Sequence, residues 1–333
     1  MTANSPVRVA ILDDYQGVAL TSADWSPLKE RISIKVFRDT LHDEDAIVER
    51  LKDFEIVCAM RERTKFPRSL LDKLPNLRLT TEATAIYRLI ATTGMRNLGI
   101  DTAYAKEKGI VVSGTGSGGN ATVEHIWALL LATVRYIAVE DANVKAGNHQ
   151  WQSTMPMGLA GRTLGLIGVG RLGKATAKIA KAFDMRVIAW SPHFTPERAA
   201  EAGVEFSPSK EDLLKESDIV SLQLVLSEST RHIITKKELS LMKPTAYLIN
   251  TSRGPLVDEN ALLEILEEEK IAGAGLDVFD VEPLPLDHPI RKAKRVTLSP
   301  HTGYLADNNY AVFWGQTVEN IDAFLKGSPK KVL

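Results

Sequence analysis

The chain has 333 residues, 44% of them hydrophobic and 25% charged; at about 150 residues per domain this is enough for two cores and excludes a small stapled scaffold. Lys and Arg number 41 against 42 Asp and Glu, a net charge of −1, so no surplus of cations exists to bind nucleic acid or an anionic membrane surface. The single cysteine, Cys58, sits in the apolar run IVCAM and is expected to be a buried core thiol rather than a nucleophile or half of a disulfide. The first six residues show no basic-then-apolar signal pattern, and the longest apolar run is far below the roughly 18 residues of a membrane span, so a cytoplasmic location is expected.

In chain order, residues 7–12 (VRVAIL) form a short apolar run ending at Asp13 and Asp14 and read as a buried parallel strand, as do residues 33–37 and 55–60. Residues 43–52 and 68–74 carry apolar side chains at helical spacing, the second stretch stopped by Pro75 and Asn76. Two similar segments, starting at Arg78 and at Arg88, compete for the strand that enters the loop TGMRN at 93–97, and the sequence does not choose between them. Residues 113–120 (SGTGSGGN) are small and Gly-rich and are predicted to be a flexible crossover. One long helix is predicted over 122–146, stopped by Gly147 and Asn148. The alternation then resumes with six predicted strands, 163–168, 186–190, 218–224, 246–250, 274–278 and 295–299, and a helix over 174–183. A last amphipathic helix, 308–326, follows a completed domain and is expected to return to the first one. The fold class is therefore α/β with two doubly wound parallel sheets: a dinucleotide-binding domain over 120–305, inserted in a discontinuous domain of 1–119 and 306–333.

Gly168, Gly170 and Gly173 form GxGxxG between an apolar strand and a helix, the context in which this motif binds a dinucleotide. The first glycine permits a tight turn, the second lets backbone approach a pyrophosphate, and the third lets helix and strand pack closely. The strand after it ends at Ser191, where NAD sites place an acidic residue for the ribose 2′-hydroxyl; Asp184 precedes that strand and is misplaced for the role. NAD and NADP both remain open, with a lean to NADP, because nothing at Ser191 repels a 2′-phosphate and Ser191 or His193 can donate to it, although no arginine follows directly.

Three further strand ends carry NTSRG at 250–254, GLDVFDVEP at 275–283 and SPHTG at 299–303. Reduction of a 2-keto acid needs a cation for the carboxylate and carbonyl, a proton donor for the developing alkoxide and a carboxylate to keep the donor protonated. Arg253, His301 and Glu282 are of those types. Together with RERT at 61–64, TTGMRN at 92–97 and GVGRLG at 168–173, in this order over nearly the whole chain, these segments resemble the D-isomer-specific 2-hydroxyacid dehydrogenase family, which includes glyoxylate, hydroxypyruvate and phosphoglycerate enzymes. The resemblance implies a Rossmann cofactor domain within a flavodoxin-like substrate domain, an NAD(P)-dependent oxidoreductase interconverting 2-keto and D-2-hydroxy acids, and a homodimer joined through the long helix. It also implies that Arg253, Glu282 and His301 are catalytic and that Arg171 and Leu172 approach the pyrophosphate. By the same resemblance Thr251 borders the cofactor, Asp277 holds the nicotinamide carboxamide, and backbone near Met95 and Arg96 grips the substrate carboxylate together with Arg253. The expected cofactor set is completed by Gly168, Gly170, Gly173, Ser191 and Thr122.

Arg61, Arg63 and Arg96 offer further positive charge near the substrate, and Tyr304 and Trp314 an apolar wall; for each of these, ordinary packing or exposure is an equal alternative. Which 2-hydroxy acid is used is not legible. His125 and His149 read as structural or surface residues. No His, Cys or Asp grouping has metal-ligand spacing, so no metal is expected. About ten residues near 80–90 exceed the family's usual length, and Gln223, Leu224 and Val225 stand where the family often has His-x-Pro. The principal alternative function is a dinucleotide-sensing corepressor with little turnover; a formate dehydrogenase is disfavoured because its glutamate position usually holds Gln.

Overall fold

The computed structural model describes residues 5–74 and 88–333, and the chain divides into two units, Met1–Gly119 with Leu305–Leu333, and Asn120–Tyr304. In the first unit β1 (Val7–Ile11) lies between β2 (Ile32–Val36) and β3 (Ile56–Ala59), and β4 (Leu89–Thr92) and β5 (Val111–Gly114) follow outward, all pairs parallel. The order 2-1-3-4-5 is the flavodoxin-like one. The strands are short and apolar without alternation; all four residues of β3 are buried, as in parallel sheets covered on both faces. Cys58 belongs to this strand at 2% exposure, and burial pushes its thiol up to about 12, the inert core thiol expected.

Helices α1 (Glu44–Leu51), α2 (Arg68–Lys73) and α3 (Thr102–Glu107) connect these strands. Asp43 and Asp101 start α1 and α3 by accepting from the backbone N–H of Ala46 and Tyr104. Of the two competing segments, the one at Arg88 supplies β4, with Leu89 opposite Ile56 and Thr92 opposite Gly114. The segment at Arg78 and most of the extra residues lie outside the described residues.

In the second unit, the single long helix predicted over 122–146 is two helices, α4 (Ala121–Val134) and α5 (Ile137–Lys145), bent by 61°. Tyr136 takes a left-handed backbone (φ 55°) between them, and its hydroxyl bonds that of Tyr247 at 2.8 Å. The break, at a residue with a tertiary contact, falls within a stretch whose local composition is helical throughout. No single helix among the described residues is long and apolar enough to cross a membrane.

The sheet of this unit is built from β6 (Thr163–Ile167), β7 (Arg186–Trp190), β8 (Glu205–Phe206), β9 (Ile219–Leu222), β10 (Tyr247–Asn250), β11 (Gly273–Leu276) and β12 (Val296–Leu298). Its helices are α6 (Arg171–Ala182), α7 (Pro196–Ala202), α8 (Lys210–Glu216), α9 (Lys236–Leu239) and α10 (Glu259–Glu267). The parallel order β8-β7-β6-β9-β10-β11-β12 is the Rossmann order with one more strand at the end, and it reverses between β6 and β9. Six strands were expected; the seventh, β8, is two residues long, too short to register as an apolar run.

The chain then returns as α11 (Asp307–Leu325), which packs on β4 in the first unit. This helix also corrects the reading of 113–120 as slack. Ser113 and Gly114 belong to β5, the N–H of Gly116 donates to Gln316 Oε1 at 2.7 Å, and that of Gly118 donates to Asn309 Oδ1 at 2.8 Å. A Cβ at Gly118 would lie 2.8 Å from the carbonyl oxygen of Asn308, so the small residues here serve close packing on α11.

Candidate active site

The site in the second unit starts at the β6/β9 reversal. Gly168 has φ +102°, and a Cβ there would fall 2.8 Å from the carbonyl carbon of Gln223, just beyond β9. A Cβ on Gly173 would meet the carbonyl oxygen of Gly168 at 2.7 Å, whereas one on Gly170 would meet nothing within 4 Å. The outer glycines are needed for packing, and the middle one opens the ground before the first turn of α6, where Arg171 is exposed and Leu172 half-buried. These residues fit a dinucleotide pyrophosphate, which the N-terminus of this twelve-residue helix favours. In place of His-x-Pro, Gln223 ties the switch point to α6 through Thr176 Oγ1 at 3.0 Å.

Ser191, half-buried, follows β7 and accepts from the N–H of Phe194 in a tight turn (3.0 Å). No carboxylate stands in this turn. No arginine directly follows the strand in the sequence, but Arg198 on α7 reaches back and donates to the carbonyl oxygen of His193 at 2.9 Å. Thr122 is half-buried in the first turn of α4.

Beyond β10, Asn250 shapes the turn that carries Arg253: its Nδ2 donates to the Arg253 carbonyl at 2.9 Å and its Oδ1 accepts from the Ser252 N–H at 3.1 Å. Thr251 and Arg253 are half-buried in this turn. Gly254 then lies so close to the next loop that a Cβ would be 2.1 Å from the carbonyl carbon of Phe279. Phe279 N–H in turn donates to Glu282 Oε1 at 2.9 Å, and Glu282 Oε2 meets His301 Nδ1 at 2.5 Å. Residues from three separate strand ends are thereby connected: Glu282 and His301 by direct contact, and Arg253 through its neighbour Gly254. With Nδ1 engaged by Glu282, Nε2 is the imidazole atom available to a substrate; the ring also stands edge-on to Tyr304, with centroids 5.9 Å apart.

Asp277, 1% exposed, organises the loop that bears His301. Its Oδ1 accepts from Ser299 Oγ at 2.6 Å and Thr302 N–H at 2.8 Å, and its Oδ2 from Gly303 N–H at 3.0 Å. Oδ2 keeps lone-pair capacity, as a carboxamide donor would require. His125, read from sequence as structural or surface, is brought here from α4, with Nε2 3.1 Å from Asp277 Oδ1 and 3.0 Å from Ser299 Oγ. Burial alone would push the Asp277 carboxyl up, but hydrogen bonds from His125, Ser299 and Thr302 hold it below the usual carboxylate range. The only sequence signal for His125 was a polar residue on an apolar helix; its partner lies 152 positions away, 277 − 125, and no spacing rule links them. His149 is exposed.

In the first unit, Met95 and Arg96 are exposed in the loop after β4, whose neck is fixed by Gly94 N–H donating to Thr115 Oγ1 at 2.9 Å and by Asn97 Nδ2 donating to the Arg61 carbonyl at 2.6 Å. A Cβ on Gly94 (φ +91°) would collide with the Arg61 guanidinium. Arg63 donates to the Asp13 carbonyl at 2.8 Å and stacks on Tyr15, its Cζ 4.4 Å from the ring centroid. Trp314, for which an apolar wall and ordinary packing stood equally, is a core residue of this unit at 1% exposure, its ring 6.2 Å from that of Trp25.

A Rossmann sheet with an open glycine turn and a His–Glu pair at its strand ends defines a dinucleotide-dependent oxidoreductase. The family profile "D-isomer specific 2-hydroxyacid dehydrogenase, NAD binding domain" matches residues 127–303. The "Glyoxylate reductase" of Korarchaeum cryptofilum is 35% identical over 308 residues, covering 91% of this chain and 89% of the relative. The "Hydroxypyruvate reductase" of Blautia hydrogenotrophica is 32% identical, covering 98% of this chain and 99% of the relative. Among solved structures, a putative D-3-phosphoglycerate dehydrogenase from Ralstonia solanacearum superimposes with a TM-score of 0.88 at 32% identity, covering 98% of this chain and 96% of that one. The chain belongs to the D-isomer-specific 2-hydroxyacid dehydrogenase family. It is an NAD(P)-dependent enzyme interconverting 2-keto acids and D-2-hydroxy acids.

Proposed function

We propose that the protein reduces a small, polar 2-keto acid of the glyoxylate or hydroxypyruvate type, with Arg253, Glu282 and His301 as its catalytic residues. The observation that carries this is the 2.5 Å contact between His301 Nδ1 and Glu282 Oε2 at the mouth of the Rossmann sheet. A bound reduced nicotinamide supplies the hydride. His301 gives the proton on Nε2 to the keto oxygen while Glu282 holds Nδ1–H and offsets the charge of the protonated ring; solvent then restores the proton. Arg253 orients the substrate carboxylate with a two-pronged contact that lysine does not reproduce. The second unit serves as the dinucleotide-binding domain, holding the cofactor with Gly168, Gly170, Arg171, Leu172, Gly173, Ser191, Thr251, Asp277 and Thr122. The first serves as the substrate domain, where backbone at Met95 and Arg96 grips the carboxylate.

A small substrate is favoured by the names of the relatives and by the burial of Trp314, which removes half of the aromatic wall that a bulky keto acid would use. The test is a panel of glyoxylate, hydroxypyruvate and phenylpyruvate with NADH and NADPH, followed by the absorbance of the reduced nicotinamide. Turnover confined to phenylpyruvate overturns the substrate class, and dinucleotide binding without turnover on any acid returns the corepressor reading, which the relatives do not support.

For the cofactor we favour NADPH, on the serine at 191 and on Arg198 beside His193. Ser191→Asp is expected to weaken NADPH binding at least tenfold, about 1.4 kcal/mol, with NADH binding kept, as read from nicotinamide fluorescence on titration. Equal loss for both cofactors, or none, rejects the assignment.

We further propose a homodimer joined through α4, α5 and the segment after them. Ile137, Val139 and Val144 are exposed there, together with Trp151 at 74% and Met155 at 90%, large apolar side chains that a second copy would cover. A monomeric mass by light scattering rules it out. A cytoplasmic location suits the lone buried thiol of Cys58, and recovery of the protein in a membrane or secreted fraction would contradict it.

A further inference from the structure

We infer that His125 is a positioning residue for the proton donor: with Asp277 it clamps both ends of the loop 299–303 and so holds the His301 imidazole on Glu282. The inference rests on the proposed role of His301. His301 has φ 53°, a left-handed backbone that a non-glycine residue adopts at a cost of about 1 kcal/mol or more unless its surroundings enforce it. The loop turns sharply there, with the His301 N–H donating to the Ser299 carbonyl at 3.1 Å, and its own backbone provides no other restraint on the imidazole.

The restraint comes from the two sides. Asp277 takes Ser299 Oγ before the histidine and the N–H groups of Thr302 and Gly303 after it. His125 approaches the same two flanks from α4. Its Nε2 lies 3.0 Å from Ser299 Oγ and 3.1 Å from Asp277 Oδ1, and its ring carbons Cδ2 and Cγ stand 3.5 and 3.9 Å from where a Cβ on Gly303 would be. Ser299 Oγ spends its only proton on Asp277 Oδ1, so Nε2 carries the hydrogen and donates into the pair. Asp277 is buried in β11's continuation, so bulk water does not make up the hydrogen bond if this donor is lost; the carboxylate then turns or draws in solvent, and the amides it holds shift with it.

Removing His125 therefore moves His301 without touching the substrate or the glycine turn. A displacement of the order of 1 Å at a reacting group lowers turnover by about tenfold to a hundredfold. In His125→Ala, kcat for keto-acid reduction is expected to fall by that factor with KM near that of the unmodified protein. In His125→Gln, whose amide Nε2 can donate to Asp277, most of kcat returns. The second readout needs neither substrate nor cofactor: hydrogen–deuterium exchange of the peptide containing 299–303 is expected to quicken in His125→Ala and to recover in His125→Gln. Unchanged exchange and unchanged kcat in His125→Ala overturn the inference, as do equal losses in both variants, which mark a merely structural residue. If His125→Ala fails to fold, Ser299→Ala, which removes one partner of the clamp, takes its place with the same expected exchange and kcat changes. Should the unmodified protein reduce no keto acid while the exchange pattern follows the expectation, the proposed function fails and the clamp stands.

Discussion

Replacing His301 by alanine is expected to lower keto-acid reduction by about a hundredfold to ten-thousandfold while dinucleotide binding stays as in the unmodified protein. The alkoxide formed by hydride addition must take a proton as it develops, and His301 is the group whose Nδ1 is already committed to a carboxylate at 2.5 Å, leaving Nε2 for the substrate. None of the glycines that shape the cofactor turn touches this ring, so the two properties separate: steady-state rates report on the proton donor, and cofactor titration on the turn. A variant with near-normal kcat at neutral pH excludes His301 as the donor. Glu282→Gln is the informative companion, because it keeps the shape and most hydrogen bonding while removing the charge that offsets a protonated imidazole.

The second large effect is expected at Gly254. An alanine there would set its Cβ 2.1 Å from the carbonyl carbon of Phe279, 2.3 Å from its oxygen and 2.6 Å from the nitrogen of Asp280. All three are backbone atoms, so no side chain can swing aside; the loop after β11 must move as a unit. That loop carries the Phe279 N–H that holds Glu282, and Gly254 itself follows Arg253, so one methyl group disturbs both partners of the proposed chemistry. Overpacking of this kind costs about 1–3 kcal/mol of stability, and the displacement of Glu282 is expected to remove turnover by about a hundredfold or more. Thermal unfolding and kcat measured on the same preparation test it, and wild-type values of both would show that the close approach is not a constraint.

Most of the fold was legible because parallel strands that are covered on both faces are written as short apolar runs, and the helices between them as periodic ones. Where tertiary contacts set the backbone, the reading failed. The helix break falls at Tyr136, whose hydroxyl contact is with Tyr247, a residue 111 positions on. The Gly-rich stretch at 113–120 has the composition of a linker, but its N–H groups are taken by Gln316 and Asn309 of α11, so it is close-packed. For Trp314 the sequence left a pocket wall and ordinary packing equally open, and the tertiary structure sets it against Trp25 in the core.

By itself the sequence determined the chemistry available: a glycine turn between strand and helix, a serine where an acid would select NAD, and an arginine, a glutamate and a histidine each at the end of an apolar run. These are local patterns, and local patterns survive in one dimension. The pairing of Glu282 with His301 was already expected from their chemical types, but the tertiary structure alone decided the contacts that no local pattern carries. It closed Gly254 onto Phe279 and brought His125 from a helix to the carboxylate of Asp277. The physical reason is that a parallel sheet gathers its strand ends at one edge irrespective of their separation along the chain, and contacts made across that edge follow from strand order and register.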